Sequence, residues 1–245
     1  MKTRQIFNHI YLKTISDCIS VLLLCVLVVS CSGGTKQIFT QGADVGNVLL
    51  PGSFTFDAER DVYTLSGSGY DMWFDHDEFF MVWEKVTGDF RLSARVEFEG
   101  EGAHDLRKIG LIIRESLEGN ARHANAVIHG NALTSLQFRR EIGGITYEVR
   151  SANLPAPTFT LEVTGPQSNI ATTTNRPEFM PDHLILERIG NTIIMKAGVG
   201  SHANQPCAVI EIELAETAYV GLFVCSHEID VLETGRFYDV RLELR

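Results

Sequence analysis

Short runs in which every second residue is apolar recur along this chain, and no other feature limits its fold so strongly. In the clearest run, residues 90–98, apolar side chains alternate with polar ones such as Arg91 and Glu97. Successive side chains of a β-strand point to opposite faces, so this run would bury one face and expose the other. Turn residues at 88–89 and 100–102 bound the run. We therefore predict a strand at 90–98 with one face on an apolar core.

The same pattern predicts strands along most of the chain, and no segment beyond the N-terminal region has sustained helical periodicity. The further predicted strands are 53–57, 62–67, 79–86, 108–114, 123–129, 135–141, 145–150, 183–188, 192–197, 207–214, 218–225 and 236–244. Gly143-Gly144 and Gly190-Asn191 are predicted to join two pairs of them as hairpins. Many short strands separated by turns predict an all-β fold, a two-sheet antiparallel jelly-roll sandwich.

A proline-rich stretch at residues 155–181 interrupts the strands and holds five of the seven prolines. Proline cannot donate a backbone hydrogen bond to a sheet, so this stretch is predicted to be a long loop or edge excursion. The strands after it are too few for a second closed sandwich. We therefore predict one domain at 53–245 with this insertion, preceded by a tether and lead-in at 31–52.

The first 30 residues have the pattern of a secretory leader. Basic residues precede an apolar run at 21–29, which is shorter than the roughly 20 residues that a membrane-spanning helix needs. Val28-Val29-Ser30-Cys31 is similar to the lipobox of bacterial lipoproteins. We predict a lipoprotein signal peptide at 1–30 and lipidation of Cys31; an ordinary leader followed by a cysteine is the alternative. Because Ser32 rather than an aspartate follows, we expect an outer-membrane anchor in the bacterial cell envelope.

The charge of the chain argues against a nucleic-acid partner. The net charge is −10, and the leader would remove three basic residues and one acidic residue (Lys2, Arg4, Lys13 and Asp17), which gives −12. An acidic protein repels phosphate backbones, and the sequence has no basic stripe with interleaved aromatic residues.

Two cysteines, Cys207 and Cys225, would remain beside Cys31 in the mature chain, in an oxidising compartment. They lie symmetrically about Glu216, so a hairpin that turned there would place them opposite each other. A disulfide bond and two buried thiols are both consistent with the sequence.

Several spaced motifs resemble a known family. They are Gly69-Tyr70-Asp71-Met72-Trp73-Phe74, Asp77-Glu78-Phe79, Thr87-Gly88-Asp89-Phe90, Lys108-Ile109-Gly110-Leu111-Ile112-Ile113-Arg114-Glu115-Ser116-Leu117, Ser135-Leu136-Gln137-Phe138-Arg139-Arg140, Tyr219-Val220-Gly221-Leu222-Phe223-Val224-Cys225-Ser226-His227 and Phe237-Tyr238-Asp239-Val240. In this order they are similar to an uncharacterised bacterial domain family of the concanavalin A-like lectin/glucanase superfamily, a type also found beside Tol-type propeller domains in envelope proteins. The resemblance implies a concanavalin A-like sandwich with carbohydrate as the superfamily's usual ligand. It implies no particular reaction.

A mixed polar patch is the main candidate for ligand binding. Strand parity allows four polar side chains from three predicted strands to lie on the same side of a sheet: Arg114, His129, Gln137 and Arg139. If their strands are neighbours, these groups would gather near Trp73 and Trp83 and would suit hydroxyls and carboxylates, as in acidic sugars. Two alternatives stay open, because the arginines could form structural ion pairs and His129 could be a structural histidine.

Three acids at alternate positions, Glu97, Glu99 and Glu101, are the candidates for catalysis. Retaining glycoside hydrolysis uses two carboxyl groups about 5 Å apart, one as acid and one as nucleophile. The alternative is a solvated strand face that runs into a turn at Gly100 and Gly102.

Aspartates just before the predicted strand at 79–86 are the candidate metal ligands. Asp71, Asp75 and Asp77 carry the carboxylate oxygens that Ca²⁺ prefers, although their spacing matches no defined calcium loop. Turn and capping roles are the alternative. Calcium is the one cofactor that these residue types suggest.

These features together predict a membrane-anchored extracytoplasmic lipoprotein. Its domain is predicted to be a non-catalytic, carbohydrate-associated binding or accessory domain with a glycan or polysaccharide as partner. A glycoside hydrolase or lyase is one alternative function. A protein-interaction module of an envelope complex is the other.

Overall fold

The computed structural model describes residues 35–150, 163–164, 180–200 and 206–245, and these residues form 17 β-strands. In chain order the strands are β1 (Gln41–Val45), β2 (Ser53–Asp57), β3 (Val62–Gly69), β4 (Met72–Trp73), β5 (His76–Asp77), β6 (Phe79–Thr87), β7 (Phe90–Phe98), β8 (Lys108–Arg114), β9 (His123–His129), β10 (Thr134–Arg139), β11 (Tyr147–Arg150), β12 (Val163–Thr164), β13 (His183–Ile189), β14 (Thr192–Gly198), β15 (Pro206–Glu211), β16 (Thr217–Cys225) and β17 (Glu228–Leu244). None of the described residues belongs to a helix long and apolar enough to cross a membrane.

Fifteen of these strands make two large antiparallel sheets. The eight-stranded sheet has the order β1-β6-β16-β8-β9-β10-β11-β12, and the seven-stranded sheet has the order β15-β14-β13-β7-β17-β3-β2. Strands β4 and β5 form a separate hairpin, which we call the β4–β5 hairpin. The predicted fold class is therefore confirmed as an all-β, two-sheet antiparallel jelly-roll sandwich.

The apolar core lies between the two large sheets, and the strand alternation builds it. Leu92 of β7 and Leu186 of β13 enter it from the seven-stranded sheet, and Leu111 of β8 and Leu136 of β10 enter it from the eight-stranded sheet. All four side chains are completely buried, whereas Arg91 on the other face of β7 is partly exposed. Burial of apolar surface at about 25 cal/mol per Å² is the main term that holds the sheets together.

Several strand predictions match the structure residue for residue, namely 53–57, 90–98, 108–114 and 123–129. Both predicted hairpins are confirmed, since β10 pairs with β11 and β13 pairs with β14. Gly143 and Gly190 in these turns have φ values of 69° and 58°, which glycine adopts without steric cost. The sequence missed β1 and the β4–β5 hairpin, and β17 begins at Glu228 rather than at residue 236.

The two domain cysteines are buried thiols, and no disulfide bond links them. The chain passes from the seven-stranded to the eight-stranded sheet between β15 and β16, so the expected hairpin about Glu216 is wrong. Cys207 and Cys225 therefore do not face each other across a turn. The Cys225 thiol lies 3.4 Å from the Glu78 carbonyl oxygen, and burial raises the pKa of this thiol to about 12.

Three predictions fall outside the described residues: the signal peptide at 1–30, the lipid on Cys31 and most of the proline-rich insertion at 155–181. They stay predictions, as do the domain bounds at 31–52 and 53–245.

Candidate functional site

The side of the eight-stranded sheet that faces away from the core is the candidate site, and we call it the outer face. Cross-strand register fixes which side chains are neighbours on it. Arg114 of β8 pairs with His123 of β9, which pairs in turn with Arg139 of β10. This row across three strands therefore has one arginine on each side of the His123 imidazole.

The Asp77 side chain of the β4–β5 hairpin packs against the outer face and contacts both arginines. Its Oδ1 accepts a hydrogen bond from Arg139 Nη2 at 2.7 Å, and its Oδ2 accepts one from Arg139 Nη1 at 2.9 Å. Arg114 Nη1 lies 3.4 Å from the same Oδ2. All three side chains are completely buried. Since buried charges are tolerated only when they are paired and hydrogen-bonded, Asp77 fixes the hairpin against the sheet.

The other hydrogen bonds of both arginines go to backbone carbonyl oxygens and, from Arg139 Nη2, to the Thr146 hydroxyl. The backbone acceptors are the carbonyl oxygens of Phe74, Ser116, Glu118, Gly119, Ala121 and Gly144. Burial lowers the pKa of Arg114 to about 10, against the opposing effect of Asp77, so the side chain stays charged at neutral pH. Of the two interpretations of Arg114 and Arg139, this geometry matches the structural ion pair, with Asp77 as the partner that sequence reasoning did not identify.

His123 lies between the two arginines and is uncharged. Burial lowers its pKa to about 3, and Arg139 and Arg114 act in the same direction while Asp77 opposes them. Its Nε2 is 3.9 Å from Asp77 Oδ2, which is too far for a hydrogen bond, and its Nδ1 is 3.4 Å from Asn125 Nδ2. The imidazole therefore acts as a neutral polar group on the outer face.

Unpaired polar atoms gather beside this row. Within the described part of the chain, seven buried side-chain nitrogen or oxygen atoms have no hydrogen-bond partner. Five of them lie on β9, β10 and β11, and we call their residues the polar cluster: His123 (Nε2), Asn125 (Oδ1), Ser135 (Oγ), Gln137 (Oε1) and Arg150 (Nη2). Native proteins leave few buried polar groups unpaired, and each one calls for a water, an ion or a ligand.

Register shows how compact the polar cluster is. Asn125 is the direct cross-strand partner of Gln137, and Gln137 is the partner of Glu148. Ser135 lies two residues before Gln137 and is paired with Arg150. Directly opposed residues on neighbouring strands have Cβ atoms about 5 Å apart, so the cluster has the width of a small polar ligand.

Glu148 and Arg150 supply the charges at the β11 border of the polar cluster. Arg150 Nε donates to Glu148 Oε1, and the Arg150 side chain is 23% exposed while that of Glu148 is buried. At this border the Arg150 side chain is therefore partly open to solvent.

The opposite end of the outer face holds a second charged group. Lys108 Nζ donates to Asp71 Oδ1 at 2.6 Å and lies 3.3 Å from His227 Nδ1. Burial alone would raise the pKa of Asp71, but Lys108 and His227 hold it well below its usual range. His129, paired in register with Lys108, contacts the Leu133 carbonyl oxygen through Nδ1, and burial lowers its pKa to about 4. His129 therefore fits the structural alternative.

The three candidate calcium ligands do not converge. Asp71 contacts Lys108, Asp77 contacts Arg139 and Arg114, and Asp75 is exposed at the tip of the β4–β5 hairpin. Among the described residues, no group of three or more His, Cys, Asp or Glu side chains is arranged to hold a metal ion.

An apolar patch separates the polar cluster from Trp83. Met72 of the β4–β5 hairpin packs with Ile112, Val127 and Phe223 on the outer face, and all four are completely buried. Trp83 of β6 lies beyond this patch and stacks edge-on against Tyr219. Trp73 is half-buried in the hairpin, opposite His76.

The candidate catalytic acids belong to the other sheet. Glu97 is exposed on β7, where its Oε2 accepts a hydrogen bond from the Tyr238 hydroxyl at 2.7 Å. Glu99 lies beyond the end of β7 and pairs with Arg236 at 3.0 Å, and Glu101 is exposed in the following turn. These positions match the alternative of a solvated strand face that runs into a turn.

Sequence reasoning placed Gln137 on the correct face but missed His123, Glu148 and Arg150. Parity on β9 and β11 could have found them, because each lies an even number of residues from another member of the same face. Asp77 could not be assigned this way, since it reaches the face from a hairpin outside the sheet.

Comparison with family models gives no match, and comparison with curated proteins gives none either. Solved structures do match. A functionally unknown protein from Saccharomyces cerevisiae superposes with a TM-score of 0.56 at 13% identity, over 84% of this chain and 97% of that chain. At this identity the similarity concerns the fold alone.

Two carbohydrate-active enzymes match less closely. A Bacillus licheniformis β-glucanase has a TM-score of 0.44 at 8% identity, over 84% of this chain and 91% of that chain. An alginate lyase of polysaccharide lyase family 7 has a TM-score of 0.44 at 7% identity, over 77% of this chain and 81% of that chain. We infer nothing about the chemistry of this chain from either enzyme.

Proposed function

We propose that this chain is a lipid-anchored extracytoplasmic protein whose sandwich binds carbohydrate on the outer face without transforming it. The observation that carries this proposal is the polar cluster, where five of the seven unpaired buried polar atoms among the described residues lie on three neighbouring strands. A random scatter of such atoms would point to no ligand. Their concentration on one face points to a polar ligand that completes them.

The chemistry of the polar cluster suits hydroxyl groups. Asn125 Oδ1 and Gln137 Oε1 accept, Arg150 Nη2 donates, and Ser135 Oγ can do either. A sugar hydroxyl is itself both donor and acceptor, so neighbouring hydroxyls on one ring can satisfy acceptors and donors together. Binding sites of this kind combine a few convergent polar groups with apolar walls, and Met72 and Val127 supply such a wall beside the cluster.

The carboxylates near the polar cluster are hydrogen-bonded to arginines, and this favours binding without catalysis. Asp77 accepts two hydrogen bonds from Arg139, and Glu148 accepts one from Arg150. Glycoside hydrolysis needs one carboxyl group that gives up a proton and a second that attacks or activates water. A carboxylate held by an arginine is poorly suited to the first role because the cation favours its ionised form.

The cell-envelope location rests on the N-terminal sequence. The basic and apolar regions at 1–30 and the lipobox-like Val28-Val29-Ser30-Cys31 support export and acylation. Several acyl chains on Cys31 would hold the protein firmly, since each buried methylene contributes about 0.8 kcal/mol. An envelope surface would bring the sandwich close to extracellular or periplasmic polysaccharides.

A glycan array probed with the full-length chain tests the proposed function. The detergent must lack a sugar headgroup, because such a headgroup would compete for the site. We expect binding to a restricted set of glycans, which Asn125→Ala weakens and which Ser93→Ala, on the partly exposed face of β7 in the other sheet, leaves unchanged. Uniform silence across the array, or equal effects of the two variants, would overturn the proposal.

A further inference from the structure

We propose that the ligand of the polar cluster is a neutral, hydroxyl-rich glycan, and that uronates and protonated amino sugars are excluded. This inference rests on the proposed function and adds to it the charge of the ligand.

The unpaired acceptors disfavour a carboxylate. Asn125 Oδ1 and Gln137 Oε1 are unpaired and belong to residues that face each other on adjacent strands. An amide oxygen is completed only by an O–H or N–H donor. An ionised carboxylate has no donor, so its oxygens would face the lone pairs of both amides. A hydroxyl group donates to either one.

The arginines that could attract a carboxylate are already occupied. Arg139 gives both terminal nitrogens to Asp77, and Arg114 Nη1 lies 3.4 Å from the same carboxylate. Arg150 donates through Nε to Glu148, and its Nη2 is buried without a hydrogen-bond partner. Bidentate recognition of a carboxylate needs two parallel N–H donors on one guanidinium. Neither Arg114 nor Arg139 offers such a pair, because all three nitrogens of each guanidinium already have partners.

The local balance of charge disfavours a cationic sugar. Around the polar cluster, the three cations Arg114, Arg139 and Arg150 stand against the two anions Asp77 and Glu148. His123 adds no charge, since burial keeps it neutral. One positive charge in excess repels an ammonium group, and this repulsion is strong where water is excluded. The same charge would attract a carboxylate, so the unpaired amide oxygens of Asn125 and Gln137 are what disfavours a uronate.

A neutral sugar meets all of these conditions. Its hydroxyl hydrogens can be donated to Asn125 Oδ1 and Gln137 Oε1, and its hydroxyl oxygens can accept from Arg150 Nη2. Ser135 Oγ and the neutral His123 can serve in either role. The partly exposed Arg150 marks the border from which such a ligand would enter.

Matched oligosaccharides titrated into the full-length chain test this inference. The neutral probes are gluco-, manno-, xylo- and chitin oligosaccharides of six units. The anionic probes are oligogalacturonate and oligomannuronate, and the cationic probe is chitosan oligosaccharide, the de-acetylated counterpart of chitin. We expect at least one neutral probe to bind and every charged probe to bind at least tenfold more weakly. Ser135→Ala should weaken the neutral probe, whereas Ser93→Ala should not.

The outcomes separate this inference from the proposed function. Binding of a uronate or of chitosan as tight as that of the best neutral probe overturns the inference and leaves carbohydrate binding in place. A neutral ligand that is insensitive to Ser135→Ala would lie outside the polar cluster and would overturn the inference as well. If no probe of any charge binds, both the inference and the proposed function fail.

Discussion

Asp77 accepts two hydrogen bonds from Arg139, at 2.7 and 2.9 Å, and neither side chain has any exposed surface. This pair ties the β4–β5 hairpin to the eight-stranded sheet. It also gives the two buried arginines of the sheet face a shared carboxylate partner. Ion pairs therefore hold one end of the outer face together. Buried polar atoms without hydrogen-bond partners lie in its middle.

Asp77→Asn is expected to lower the free energy of unfolding by about 3–5 kcal/mol, because it leaves two buried guanidinium groups without their carboxylate. Asp75→Asn, two residues away and exposed, is the matched control and should change stability by less than about 0.5 kcal/mol. Urea denaturation of both variants measures the difference. Equal stability of the two would show that the ion pair does not anchor the hairpin.

Stability should fall as the pH drops from about 6.5 towards 4. An unfolded histidine has a pKa of about 6.5, whereas burial lowers the pKa of His123 to about 3 and that of His129 to about 4 in the folded chain. The unfolded chain therefore binds more protons in this range, and each histidine costs about 1.4 kcal/mol per pH unit. The stabilisation is fully present above pH 6.5 and is lost on acidification.

Replacing the buried histidines tests this pH dependence. Denaturation curves at several pH values should be less steep in pH for His123→Gln and His129→Gln than for the wild type, whereas the exposed-site variant His76→Gln should follow the wild type. A wild-type stability that stays constant between pH 6.5 and 4 would contradict the neutral state of these side chains.

Ser135→Ala should leave the unliganded protein as stable as the wild type or more stable, by up to about 1 kcal/mol. The reason is that Ser135 Oγ is buried without a partner, so its removal ends a desolvation penalty and breaks no hydrogen bond. Thermal unfolding of the variant beside Ser93→Ala measures this effect. A loss of more than about 1 kcal/mol would mean that the hydroxyl has a structural partner, and the polar cluster would then lose one of its members.

Cys31→Ser should abolish acylation and release the protein from membranes. The expectation follows from the lipobox-like sequence before Cys31. Metabolic labelling with a fatty acid, followed by fractionation, detects both changes, and Cys25→Ser inside the predicted leader is the matched control. Retention of the label in Cys31→Ser would contradict the anchor.

The fold was accessible from the sequence because it depends on a local pattern. The alternation at 90–98 reappears as the buried and half-exposed sides of β7, and the glycines at 143 and 190 mark real hairpins. The β4–β5 hairpin was missed because two-residue strands carry no periodic signal, although its Asp77 determines what the outer face can do.

Only part of the candidate site could be predicted from the sequence, for the same reason. Parity placed Arg114, Gln137 and Arg139 on one face, and the register bears this placement out. Parity could not show that Asp77, from outside the sheet, would accept hydrogen bonds from Arg114 and Arg139. Sequence reasoning therefore left the arginines open between ligand binding and structural ion pairs, whereas the structure pairs them with Asp77 and leaves the amide oxygens of Asn125 and Gln137 unpaired. Pairing of β15 with β14, rather than with β16, was likewise invisible to the spacing of Cys207 and Cys225.

The most direct test of the account is the dissociation constant of the best neutral oligosaccharide, measured by calorimetry for the wild type, Gln137→Ala and Ser93→Ala. Loss of a buried hydrogen bond to a neutral group costs about 1 kcal/mol, with a range of about 0.5–1.5 kcal/mol, and each 1.4 kcal/mol is a factor of ten. We therefore expect Gln137→Ala to weaken binding about two- to twelvefold and Ser93→Ala to leave it unchanged. An unchanged dissociation constant for Gln137→Ala would contradict a glycan site on the outer face.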